Sequence, residues 1–190
     1  MSIVLVGSTS GSVTLQEPAV AGTTVLDLPA VSGTILTTGS SGQSIPKAAL
    51  PTGSVLQVVQ GSLGSQFTTT STSFVTSGLA ASITPTSATS KILILVSCSN
   101  AVINASANHT WITVYRGATN LAPTGSPLAF FGMYNNSGGN LQGNANISHL
   151  DSPATTSSTT YTVYVATGGS QGGFNWNSQT SYIQLLEIAA

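Results

Sequence analysis

The sequence predicts an all-β fold, and three observations carry that prediction. β-Branched residues dominate, and apolar runs alternate with polar ones at a period of two. Clusters of Gly, Asn, Ser or Pro punctuate the chain at intervals of roughly 8 to 12 residues, the spacing of sandwiches and barrels. No segment sustains a helical period. The best helical tetrad, residues 47–50, is hemmed in by Pro46 and Pro51.

Taken in order, the first region spans residues 1–53. Its opening apolar stretch, Ile3 to Val6, is too short for a signal peptide and lacks a basic flank. An 11-residue repeat follows, because Leu15 to Thr23 recurs as Leu26 to Thr34 with Leu, Pro, Ala, Val, Gly and Thr in register. Each unit predicts a short strand, a Pro-initiated bend and a Gly-permitted turn. Two such units cannot bury a core of their own. Their apolar residues Leu15, Val20, Leu26, Leu28, Val31 and Ile35 are therefore candidates for attachment to another surface by strand addition. Residues 39–44, rich in Gly and Ser, form a joint.

The second region, residues 54–190, predicts nine strands, at 54–60, 66–70, 74–83, 91–99, 110–116, 128–134, 145–150, 160–166 and 182–188. In 161–166, Tyr161, Val163 and Val165 face one way and Thr162 and Tyr164 the other, so that sheet buries one face. Residues 92–96 are apolar on both faces, which predicts a central strand covered by the second sheet and by a neighbouring subunit. Eight or nine strands in this length suit a jelly-roll-like β-sandwich behind an extended N-terminal arm.

Composition narrows the function. Only Glu17, Asp27, Lys47, Lys91, Arg116, Asp151 and Glu187 are charged, 4% of the chain, whereas Ser and Thr supply 56 of the 190 residues. A net charge of −1 with 41% hydrophobic residues gives little repulsion between copies, so burial between subunits is expected. Three scattered basic residues do not neutralise a phosphate backbone, so no nucleic-acid partner is expected. The longest wholly apolar run is far short of a membrane span, and the single Cys98 allows no cysteine zinc cage; neither membrane, metal nor cofactor is expected.

Catalysis is not expected either. His149 and Asp151 with a serine make an imaginable triad, but they straddle a predicted strand end and no Gly-x-Ser-x-Gly elbow supports them. Sugar contact fits better, because aromatic faces beside amides suit sugar rings. One cluster, residues 130–147, offers Tyr134, Asn135 and Asn136, and a second, residues 171–179, offers Trp176 and Asn177. Trp111 is expected in the core, and Cys98 as a buried small apolar residue.

Residues 13–38 resemble the repeats that precede the distal domains of bacteriophage fibre-like proteins, and 50–60 (Leu-Pro-Thr-Gly-Ser-Val-Leu-Gln-Val-Val-Gln) looks like the junction into such a domain. Residues 83–93, 150–156 and 183–188 are similar to patterns in marine and freshwater phage structural proteins. The resemblance implies a homotrimeric virion component, made in the host cytoplasm. Its shortness favours a capsid decoration or cement protein bound to the major capsid protein over a fibre tip bound to a host-surface glycan. A carbohydrate-binding module outside a virion is a third class.

Overall fold

The computed structural model describes residues 3–6, 12–15, 50–104, 107–122 and 129–190, and divides the chain into two units, Met1–Ser44 and Ile45–Ala190. In the first unit β1 (Ile3–Val6) pairs antiparallel with β2 (Ser12–Leu15). The rest of the repeat, with Val20, Leu26, Leu28, Val31 and Ile35, lies outside the described residues, as do the joint at 39–44 and all of the helical tetrad but Leu50.

The second unit begins earlier than the sequence boundary at 53. Gly53 N–H donates to Ala189 O (2.8 Å) and Ala189 N–H to Ser54 O (2.9 Å), so Gly53 and Ser54 are tied to the residue that follows the last strand. The unit is all-β and sandwich-like. Its strands are β3 (Val55–Leu63), β4 (Phe67–Thr69), β5 (Val75–Ile83), β6 (Lys91–Ile103), β7 (Asn108–Arg116), β8 (Thr119–Asn120), β9 (Phe131–Asn135), β10 (Leu141–Asp151), β11 (Thr159–Thr167), β12 (Gly172–Phe174) and β13 (Ser181–Ile188). All nine expected strands are present within the described residues, several of them longer, and the two short strands β8 and β12 were not expected.

Both sheets are antiparallel. The first runs β3-β13-β6-β10, with β12 on the far end of β6 and β4 beyond it. The second runs β5-β11-β7, and β8 and β9 share the outer side of β7. Alternation decides what lies between them. Ile92, Ile94, Val96 and Cys98 of β6 point inward with Ile183 and Leu185 of β13 and Ile147 of β10, against Leu79, Ile112, Val114, Tyr161, Val163 and Val165 of the second sheet. Cys98 is wholly buried, which pushes its thiol up to about 12, so it stays a neutral packing group.

Two devices join the sheets. At Gly61 an added Cβ would sit 2.0 Å from the Ala80 carbonyl oxygen, so only glycine lets β3 approach β5 this closely. Elsewhere, Arg116 Nη1 on β7 donates to Asp151 Oδ1 and Oδ2 at the end of β10 (2.7 Å each), and Tyr161 OH on β11 donates to Oδ2 (2.7 Å). Burial first, then the Asp151 carboxylate, push the Tyr161 phenol well above its ordinary range.

Candidate functional site

Strand register sets out the outer face of the first sheet in rows. Val58 on β3 lies beside Leu186 on β13, which lies beside Leu93 on β6, which lies beside Leu150 on β10. Ordinary alternation would place polar groups here. Instead Val58 is 60% exposed and Leu150 50%, with Leu93 and Leu186 half-buried between them. The next row runs Gln60, Gln184, Leu95 and Ser148, and the third pairs Tyr182 with Ser97 and Ser97 with Asn146. These two rows line a trough of about 660 Å³, across which Gln184 Nε2 donates to Gln60 Oε1 (2.8 Å). None of these residues is charged. The expected second apolar face of 92–96 is therefore present, and half-exposed.

The outer face of the second sheet is aromatic. His109 of β7 stacks on Trp111 (centroids 4.8 Å apart, planes 9° apart) and meets Tyr134 of β9 at 4.5 Å. Further along, Tyr115 of β7 meets Tyr164 of β11 at 4.2 Å and Phe74 at 6.3 Å. Strand alternation gathers them. His109, Trp111 and Tyr115 of β7 turn outward while Thr110, Ile112 and Val114 turn inward, and cross-strand pairing brings Tyr134 opposite His109. Trp111 is thus half-buried on the outer face, which corrects its expected place in the core. The sequence placed it wrongly because an aromatic between Thr110 and Ile112 has no mark of inside or outside until β7 acquires neighbours on both sides.

Glu187 is a wholly buried acid. Burial raises its pKa, but the Thr86 hydroxyl, the Gln57 amide and the Thr86 N–H donate to it, each at 2.6 Å, and hold the carboxyl down at about 2. Glu187 is therefore an anion held by neutral donors, and it fastens the 84–90 loop to the last strand. The His149 and Asp151 pair comes out differently from the expected strand end, since both lie on β10. Asp151 is taken up by Arg116 and Tyr161, while His149 packs against Phe130 with centroids 5.0 Å apart. Among the described residues no group of three or more His, Cys, Asp or Glu is placed to hold a metal ion.

The expected sugar-contact residues are distributed unevenly. Tyr134 is 49% exposed, and Asn136 beside it accepts weakly from its hydroxyl at 3.4 Å. Asn135 is corrected: it is 2% exposed, and its amide is spent on the turn, donating to Gly139 O (2.7 Å) and accepting from Ser137 N–H (3.1 Å). Trp176 and Asn177 sit apart from these, in the connection between β12 and β13 of the first sheet. There the Trp176 carbonyl accepts from Asn100 Nδ2 (2.8 Å), and Asn177 and Ser178 take left-handed φ of 63° and 57°. His109 and Trp111 were missed as surface groups; their i, i+2 spacing puts them on one strand face without saying which face is outward. No family model and no curated protein matches the chain.

Proposed function

We propose that the chain is a structural component of a bacteriophage particle, a homotrimer that decorates the capsid and stabilises it. The observation that supports this best is the outer face of the first sheet. A four-strand apolar row that itself contains no charge is stable in water when another surface covers it, and a second copy offers the same uncharged row. The chain's seven charges leave little repulsion to oppose that association.

The strand order supports a jelly-roll reading of the sandwich. Strands β3, β13, β6 and β10 face β5, β11, β7 and β9, as two interleaved Greek keys require. The particle itself rests on the resemblance of 13–38 and 50–60 to phage fibre-like proteins. In this reading the arm, through Leu15, Val20, Leu26, Leu28, Val31 and Ile35, holds the trimer to the major capsid protein. The aromatic face of the second sheet favours a second reading, a short fibre or head-fibre tip that meets a host-surface glycan.

Light scattering at micromolar concentration tests the assembly and should return the mass of three chains. Quantitative mass spectrometry of purified particles separates the two locations, because a decoration protein is present at many copies and a tip at few. A monomer in solution that is also absent from particles would overturn the proposal.

A further inference from the structure

We propose that the outward face of the second sheet is a stacking platform for a neutral pyranose glycan, built on Trp111 and Tyr134 with His109 packed between them. This rests on the second reading above and gives it a site and a ligand class.

The concentration of rings is the first argument. Phe74, Trp111, Tyr115, Tyr134 and Tyr164 are five of the chain's twelve aromatic residues (five Phe, two Trp, five Tyr), and they share the outward side of one sheet with His109. Solvated sheet faces ordinarily carry polar residues instead. Pre-organisation is the second. The rings already pack on one another, His109 between Trp111 and Tyr134, so little side-chain freedom remains to be lost when a ligand arrives.

Access is the third. Gly132 lies opposite Trp111 in the register, and a Cβ there would stand 3.2 Å from the indole Cδ1 and 3.6 Å from Nε1. With glycine no side chain at 132 covers the indole edge, and its N–H donates to no protein acceptor among the described residues. A sugar offers C–H patches for the ring surface of Trp111 and Tyr134 that the stack leaves exposed, and hydroxyls for the indole N–H.

Charge selects the ligand class. Of the three basic residues, Arg116 is committed to Asp151, Lys91 begins a strand of the other sheet, and Lys47 lies outside the described residues. Among the described residues no lysine or arginine on this face is free for a carboxylate, sulfate or phosphate, so sialylated, uronate and sulfated sugars find no partner there. Neutral hexose or N-acetylhexosamine chains meet no such deficit.

The test uses the full chain on an array of neutral hexose and N-acetylhexosamine oligosaccharides, with sialylated, uronate and sulfated ones beside them. Neutral glycans should bind, with affinity nearly unchanged between about 0.05 and about 0.5 M salt. Tyr134→Ala and Trp111→Ala should each weaken binding about tenfold or more, whereas Tyr134→Phe, which keeps the ring, should stay within about threefold. Light scattering of the same variants should return the oligomer of the parent chain. Because Tyr134 is half exposed, its alanine variant keeps the test valid if Trp111→Ala fails to fold. Absence of binding to every neutral glycan, binding confined to charged ones, or full affinity in folded Tyr134→Ala would each overturn the proposal. So would loss of the oligomer in Tyr134→Ala, which would make this face a contact between copies. None of those results bears on the apolar face of the first sheet.

Discussion

Asn175 occupies a position where no hydrophobe of its size would serve. It is wholly buried at a φ of 61°, its Nδ2 donates to Leu63 O (2.7 Å) and Ser65 O (3.0 Å), and its Oδ1 accepts from Ser181 Oγ (2.5 Å). Ser181 Oγ in turn accepts from Ser99 N–H (2.9 Å), so one amide ties its own connection to the β3–β4 connection and, through Ser181 of β13, to β6. Asn175→Ala strands two carbonyls and a hydroxyl and should cost about 3 kcal/mol or more, measured by urea denaturation. Exposed Asn177, also left-handed, should accept Gly with a change of no more than about 0.5 kcal/mol. Glu187 makes a prediction in pH. Its folded carboxyl is depressed from the ordinary 4.5 to about 2, so its contribution is complete above pH 4.5 and is lost as pH falls toward 2. The urea midpoint should fall across that window. In Glu187→Gln the fall should be shallower, and the variant should start about 2 kcal/mol less stable at neutral pH, because an amide cannot accept from all three donors.

At the scale of elements, the two sheets meet where glycine permits it. Gly61 on β3 faces the Ala80 carbonyl, and Gly61→Ala must push β3 and β5 apart, costing about 3 kcal/mol or more or preventing folding. Gly138, in the turn between β9 and β10, has open space around it, and Gly138→Ala is the matched control, with an effect below about 1 kcal/mol. Differential scanning calorimetry of the pair measures the contrast. The long strand β6 shows a second such adjustment. Its pairing with β10 shifts between Gly143 and Ala145, Asn100 takes a φ of 46°, and its N–H donates to Asn144 Oδ1 (3.0 Å). That bulge ends the alternation, so Ala101, Val102 and Ile103 are all fully buried. The sequence reading stopped this strand at Ser99 because Ser99 and Asn100 resemble a turn, and only the partner strand continues the ladder through them.

For the whole molecule, the apolar row across the first sheet is the feature that most needs a partner. Leu150→Lys places a charge at the edge of that row and should dissociate the proposed trimer while leaving the monomer folded, since Leu150 is half exposed. Sedimentation velocity with circular dichroism reads both; an unchanged oligomer would move the contact to another face. The sequence by itself determined the all-β class, the inward residues of most strands and the chain's low charge, because each follows from local alternation, turn chemistry and counting. It also marked Ile92 to Val96 as apolar on two faces, since that pattern needs no knowledge of neighbours. Tertiary structure decided everything that depends on which strands lie side by side. It made Asn135 a buried structural amide rather than a surface donor, buried Asn175 as another, and closed Arg116 onto Asp151 across the sheets. It drew Leu93, Leu150, Val58 and Leu186 from four strands into one row, and stacked Trp111 and His109 against Tyr134. The physical reason is that a strand fixes the side a residue points to only relative to its own backbone. The sheet it joins, and the sheet that covers it, decide whether that side is core or surface.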